Sequence, residues 1–551
     1  MRRTLAVLLG LLVLAGAAVA PAYAAAPAPK VTVEGFIDNT TVLSRNMSVT
    51  DIDITRDQDE EWYSRTRARL QITGEVGASK LVLLFEQDNN WGSQVGQCYG
   101  FDFNTGDVGN NGHFGTRDGC LNSEYVGNVE GVWLFLEFPL TGKGSLLPFV
   151  PAPGIARVGI QPFDNDTYKL GVLAFGNFPG VHVDIDPLPG FKITGTYAQF
   201  DERGIGPPFV RDSKRNEGGN RGDDFALLFS VEISPVKGID LKPIYNYTAI
   251  ENTANPANPF AYGPRTGRGG VADTPAFFPL GTEENRHTFG IDARLKFGAF
   301  SIEPTFLYQL GTREIQPHDQ FGNPVGGIRE QDLNAFFIDL RAGWQAGPLT
   351  LDLLGVYASG NKAEEDLRSG VPDVNYYQPV DTNAVYGVDW GSITAITYEY
   401  ISQLYYGQTG LCLPCSIGYD KYGRIQAGVR AKYAVTPDFI LRALATALWT
   451  AEEVDTNSNV GNAIGAPARQ AGGGLYQNDP TSSGDARYLG TEVNVGFDWG
   501  FAPNIRLLAI YGHLFTGDAY NIAGSTGTTL GTAARKAKDV DMGSLTLRFT
   551  F

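Results

Sequence analysis

Arg65, Arg67 and Arg69 occupy alternate positions, so a side-chain period of two sets all of them on one face of an extended strand, with Tyr63 and Gln71. A ladder of permanently charged guanidinium groups suits weak, repeated capture of anions rather than bond-making chemistry. Arg424, Arg430, Arg442, Arg506 and Arg548 take the polar phase of their own segments. The acids available to oppose them are Asp164 and Asp166, in the run Asp164-Asn165-Asp166-Thr167-Tyr168-Lys169-Leu170. The alternative for any one arginine is that it only neutralises Glu34, Asp38, Glu75 or Asp352 in a crowded polar interior.

Other residue types that do chemistry are sparse. The five histidines, His113, His182, His287, His318 and His513, have no spacing that implies a base or a metal site. No metal, cofactor or enzymatic activity is therefore expected. Cys98 and Cys120 fall in one long polar stretch, Cys412 and Cys415 in another. In an exported chain, Cys98–Cys120 and Cys412–Cys415 disulfides stapling loops are expected. The Cys412-Leu413-Pro414-Cys415 spacing also suits thiol redox chemistry or half a metal site, but no helix start or βαβ setting surrounds it. The acidic run Asp51 to Glu61 lacks the central Gly of an EF-hand loop and reads as a solvated acidic loop.

The elements that must position these arginines are strands. Alternation predicts them near 31–43, 61–76, 79–91, 125–138, 155–163, 180–187, 190–202, 222–234, 239–250, 285–298, 299–312, 331–346, 348–360, 421–435, 438–451, 485–500, 504–516 and 539–551. The count is eighteen, or sixteen if two weak hairpins are loops. Tight turns are expected at Gly77-Ala78, Leu188-Pro189, Gly298-Ala299, Gly347-Pro348, Thr436-Pro437 and Ala502-Pro503. Long polar stretches such as 92–124, 203–221, 251–284, 361–420, 452–484 and 517–538 separate these pairs.

No convincing helical pattern is present. The 68 Gly, 25 Tyr and 32 Phe against 3 Met favour strands and interfacial aromatic girdles. Met1 to Ala24 reads as a secretory signal peptide: Arg2 and Arg3, an apolar run from Leu5 to Val19, then Ala22-Tyr23-Ala24. Its removal loses two positive charges and takes the formal charge from −17 to −19, an acidity that argues against nucleic-acid binding. Beyond it no apolar stretch approaches the roughly 20 residues of a spanning helix.

Each strand has two distinct faces. On 285–298, His287, Phe289, Ile291, Ala293, Leu295 and Phe297 oppose Thr288, Asp292, Arg294 and Lys296. On 485–500, Leu489, Val493, Val495, Phe497 and Trp499 oppose Glu492, Asn494 and Asp498. A charge on a lipid face costs about 2–4 kcal/mol at mid-bilayer, so the polar face must be the lumen of a closed barrel. The expected fold is all-β: a single transmembrane antiparallel β-barrel over 25–551, with short periplasmic turns and long extracellular loops. In this register the arginines from 424 to 548 and the ladder at 65–69 belong to one arc, through a seam pairing 539–551 with 31–43.

The chain ends Ser544-Leu545-Thr546-Leu547-Arg548-Phe549-Thr550-Phe551, alternating without exception and stopping on an aromatic ring. This ending, with Phe549 and Phe551 on one face, resembles the closing strand of Gram-negative outer-membrane barrels, which the barrel-assembly machinery reads. The whole mature chain is similar in organisation to the Gram-negative porins. In those proteins the third external loop folds inward and sets acids across from arginines. The corresponding loop here is 164–179, with the apolar stretch Leu170 to Phe175. The resemblance implies Sec-dependent export to the outer membrane, contact with its lipid and lipopolysaccharide, and passive diffusion of small hydrophilic solutes and ions. It also admits a homotrimer. Two narrower functions stay open: a selective channel for phosphate, carboxylates or acidic saccharides, and a structural or partner-binding barrel.

Overall fold

The structure, a computed structural model, describes residues 28–46, 60–91, 129–163, 167–202, 223–251, 280–316, 328–362, 373–380, 390–391, 422–454, 484–521 and 538–551. The leader, all four cysteines and the acidic run up to Asp59 lie outside the described residues.

The described residues form eighteen strands. In chain order they are β1 (Lys30–Arg45), β2 (Glu60–Val76), β3 (Ser79–Trp91), β4 (Val129–Thr141), β5 (Gly154–Pro162) and β6 (Asn177–Leu188). Next come β7 (Phe191–Glu202), β8 (Asp223–Val236), β9 (Ile239–Glu251), β10 (Leu280–Phe297), β11 (Phe300–Gln316) and β12 (Arg329–Ala346). The last six are β13 (Leu349–Ala358), β14 (Arg424–Thr436), β15 (Phe439–Val454), β16 (Ala486–Ala502), β17 (Ile505–Thr516) and β18 (Val540–Thr550). Each strand pairs antiparallel with its neighbours in sequence, and β1 pairs with both β2 and β18, so the sheet closes with no edge. Closure is compulsory in hydrocarbon, where each unpaired backbone group costs several kcal/mol.

The seam runs from Phe36↔Thr550 to Arg45↔Asp541. Phe551 extends it: its amide donates to the Gly35 carbonyl (3.0 Å) and its carbonyl accepts the Gly35 amide (2.9 Å). A Cβ at Gly35 would lie 2.2 Å from the Arg69 carbonyl oxygen and 3.1 Å from the Phe551 ring, which is why the position is bare.

Seven described turns at one end have two residues: 77–78, 189–190, 237–238, 298–299, 347–348, 437–438 and 503–504. The three expected to begin at Leu188, Thr436 and Ala502 begin one residue later, because proline takes the first turn position and not the last strand position. After Pro503, Asn504 adopts φ 62°, a left-handed conformation that Asn tolerates. The connection between β4 and β5 is the exception, a twelve-residue loop over 142–153. β4 consequently lies a few residues later than the expected 125–138. β10 begins at Leu280, not 285, because its ladder continues against Glu251 and Gln316, beyond the alternation a membrane imposes.

The outward face carries exposed Val33, Ile37, Leu134, Leu136, Phe229, Phe289, Ile291, Leu340, Leu353, Val495, Leu545, Leu547 and Phe549. Aromatic groups cluster towards both ends of this belt. Near the tight turns, Phe300 faces Trp344 and Trp499 faces Phe501, with ring centroids 6.5 and 5.3 Å apart. Near the long loops stand Tyr245, Tyr247, His287 and Phe289. Such girdles mark the two interfaces of a membrane barrel. The polar outward residues Asn39, Thr41, Ser64 and Thr66 satisfy one another, with Asn39 Nδ2 donating to Thr66 Oγ1 at 3.1 Å and the Thr41 and Ser64 hydroxyls 2.9 Å apart.

The main apolar core lies inside the barrel. Phe178, Ala198, Ala226, Leu228, Ile244, Leu307, Ala335, Phe337, Leu354, Val356 and Ala358 line the inner face from β6 to β13. They are covered by Phe163, Val172, Leu173, Ala174, Tyr377, Val380 and Trp390, from the segments joining β5 to β6 and β13 to β14. Fully burying a side chain of the size of Leu173 stabilises by about 1.5–3 kcal/mol, enough to hold such segments inward.

Candidate functional site: two walls of the lumen

The strands β14 to β18, then β1 to β3, form the sector of the ring opposite the apolar cluster, and they carry a group of inward charged side chains. Arg430 bonds to Asp352 across β13 and β14 (Nη2–Oδ2 2.9 Å). Arg442 and Arg506 share Asp498 from either side, at 2.8 and 3.1 Å. Arg548 pairs with Asp38 across the seam and stacks over the Phe36 ring at 4.4 Å. Arg67 lies 3.4 Å from Glu86, and Arg69 pairs with the same carboxylate. In these contacts six guanidinium groups gather on four carboxylates, two of which are shared.

The arginines are not equivalent. The side chains of Arg506 and Arg548 are 57 % and 47 % exposed, while Arg65 is only 4 % exposed and Arg424, bonded to Gln426 Oε1 at 2.7 Å, is buried. The strand period puts Arg65, Arg67 and Arg69 on one face, but exposure falls along the ladder towards Arg65 as neighbouring side chains close over it. The register also sets like charges directly opposite: Arg506 faces Arg548, and Lys432 faces Arg442. Opposed like charges destabilise a sheet, whereas favourable cross-strand pairs contribute about 0.2–1 kcal/mol.

Of the carboxylates that the neutralisation alternative invokes, Asp38 and Asp352 take arginines. Glu34 instead accepts from Gln71 Nε2 (2.7 Å), and Glu75 lies 3.5 Å from Lys30. Glu86 and Asp498, which hold two arginines each, are the partners that sequence reasoning missed. Their signal was present: both occupy the inward phase of their strands, and Glu86 is in register with Arg69.

Asp164 and Asp166 lie outside the described residues. From Thr167 onwards the third external segment lies against the inner wall. Lys169 Nζ sits 3.1 Å from Asp292 Oδ1 and donates to the Thr305 hydroxyl, while the Tyr168 amide donates to the other Asp292 oxygen. The Tyr168 ring lies under the Arg294 guanidinium at 3.8 Å. Burial, and next the neighbouring Glu232, push its phenol above the ordinary range, so it stays protonated.

A second inward segment was not anticipated. Residues 373–375 pair with β12 beyond the end of β13, with the Val374 amide on the Asp332 carbonyl (2.8 Å) and the Asn334 amide on the Val374 carbonyl (2.9 Å). The chain then descends through Tyr376, Tyr377, Gln378 and Val380, all buried. Gln378 accepts from Arg286 at 2.9 Å, and Arg313 bridges Glu284 (2.8 Å) and the Tyr376 hydroxyl (3.1 Å). The two segments bond to each other: Tyr377 donates its hydroxyl proton to the Val172 carbonyl (2.9 Å), and the Val380 amide donates to the Leu173 carbonyl (2.6 Å). Trp390 crosses to the charged side, its ring 4.5 Å from the Arg430 guanidinium carbon. The available signal was a cluster of Tyr and Val within an otherwise polar stretch.

No protein-family model and no curated protein matches the chain. Among solved structures it is similar to Acinetobacter baumannii OccAB1, with 11 % identity, 94 % of this chain and 96 % of that chain covered, and a TM-score of 0.46. It is also similar to Pseudomonas aeruginosa OccK8 (OprE), at 9 % identity, 95 % and 98 % coverage and a TM-score of 0.44. The third likeness is to Pseudomonas aeruginosa OccK11 (OpdR), at 10 % identity, 95 % and 96 % coverage and a TM-score of 0.43. On its own architecture, a closed antiparallel wall of eighteen described strands with an apolar outward belt, two girdles and charged groups in the lumen, the chain is a transmembrane β-barrel of the outer-membrane type.

Proposed function

We propose that this barrel is a water-filled channel for small hydrophilic solutes, and that it prefers anions. The observation that carries the reading is the pair of opposed like charges, Arg506 with Arg548 and Lys432 with Arg442, beside the half-exposed guanidinium groups of Arg506 and Arg548. A wall built only to neutralise itself has no reason to place cations face to face. Such groups replace part of the hydration of a passing anion while holding it weakly enough to let it leave. The two inward segments supply the opposite side of the passage. They support a narrowing with a defined shape, because both are bonded to the wall and to each other.

Planar-bilayer recording across a salt gradient tests the proposal. The native barrel should show a reversal potential on the anion side. Arg442→Gln, Arg506→Gln and Arg548→Gln together should move it towards the cation side, because Asp498 and Asp38 then stand uncompensated. An unchanged potential would remove the arc from the passage, and absence of any conductance would favour a structural or partner-binding barrel.

A further inference from the structure

The loop between β4 and β5, Gly142 to Pro153, departs from the two-residue turns that make the other described connections at its end of the barrel. Its sequence, Gly-Lys-Gly-Ser-Leu-Leu-Pro-Phe-Val-Pro-Ala-Pro, has one cation, Lys143, and no carboxylate, in a chain of net charge −17. Phe149 is 76 % exposed, above every other large apolar side chain described as exposed, and Leu146 is 42 % exposed. Loops in water do not ordinarily show such groups, and an exposed apolar patch generally marks an interaction surface.

The backbone is held in place. The Leu146 amide donates to the Pro139 carbonyl (3.2 Å), the Leu147 amide to the Leu140 carbonyl (2.8 Å) and the Gly142 amide to the Val150 carbonyl (2.9 Å). Thr141 Oγ1 donates to the Ala152 carbonyl (2.6 Å), and Leu147 bridges in parallel to Thr141. The β3–β4 ladder ends at Lys80–Glu137, and residues 146–147 bond to the Pro139 and Leu140 carbonyls beyond it. The loop is thus tied to the end of β4, on the tight-turn side of the exposed Leu134, Leu136, Val158 and Ile160.

We propose that loop 142–153 is a membrane anchor seated in the inner-leaflet interface of the outer membrane, with Leu146 and Phe149 among the upper acyl carbons and Lys143 at the phospholipid phosphates. Continuity with the apolar belt and the sign of the loop's only charge favour lipid over a periplasmic protein. Phe149 also matches the exposed aromatic groups Phe297, Phe300, Trp344, Trp499 and Phe501 at the same end of other strands. An amphipathic ring suits that interface.

The test replaces Phe149 with the photoreactive p-benzoylphenylalanine in the full chain in outer membranes, with the same group at Leu136 as the lipid-facing control. Phospholipid adducts at both positions are expected. Lipid adducts at Leu136 with a protein adduct at 149, whether to a second copy or to another chain, would overturn the anchor. So would reaction at Leu136 with none at 149, which would leave the loop in water. Loss of the Leu136 adduct would instead strike the placement of the belt in lipid, on which the anchor depends.

Discussion

Lys169 and Asp292 form an ion pair with both side chains essentially excluded from solvent. Asp292 also accepts from Thr305 Oγ1 (2.7 Å) and from the Tyr168 amide, so its charge is met on several sides. A buried pair is a weak source of net stability, but removing one partner leaves an uncompensated charge that costs about 3–5 kcal/mol. Lys169→Met should therefore release the inward segment at 167–176 and lower the thermal midpoint of the barrel, read by heat-modified gel mobility. Asp292→Asn with Lys169→Met should recover part of the loss, and equal destabilisation by the single and double variants would show that the pair does not hold the segment. At this scale the sequence was half informative. Asp292 was assigned to the polar face from its phase alone, but nothing near residue 169 names a partner 123 positions away.

The closing strand illustrates how far local pattern reaches. Alternation in 539–551 and 31–43 predicts that the two pair, and the register places Leu545 and Leu547 outward and Arg548 beside Asp38. What pattern does not provide is the fit at Gly35, where Phe551 and the Arg69 carbonyl leave no room for a side chain. Gly35→Val should cost about 1–3 kcal/mol by overpacking and slow closure of the seam, seen as a larger unfolded fraction on cold gels. Deleting Phe551 should have a related effect by removing the last two ladder bonds, and normal assembly of both variants would exclude a role for this contact. The turn residues Gly77 and Gly347 were legible because their left-handed φ values of 62° and 57° have a chemical signature. The predicted strands stop at 138 and resume at 155, which left a β4–β5 connection but not its bonds back to the end of β4, because those depend on backbone geometry that no periodicity records.

Across the whole molecule the interior divides into two sectors, one covered by inward segments that bury an apolar cluster and several ion pairs, the other carrying partly exposed arginines. The covering is cooperative: the segment at 373–380 bonds to the segment at 167–176 and is itself tied to β10, β11 and β12. Replacing residues 376–380 with Gly and Ser should loosen both segments, and single-channel conductance should rise. Unchanged conductance would mean that neither segment narrows the passage.

The order of the strands, the face each side chain takes and the seam follow from the sequence, because period-two alternation and turn chemistry are local and a membrane punishes every departure from them; the count stood at eighteen or sixteen until the closed sheet showed eighteen described strands. Even the positions of the arginines on one arc follow from antiparallel order once closure is granted. Only the tertiary structure decided which arginines are exposed, that Glu86 and Asp498 each hold two of them, and that the segment joining β13 to β14 enters the lumen beside the third. Those outcomes depend on distances between residues far apart in the chain, where burial and charge compensation are settled jointly and no periodicity records the result.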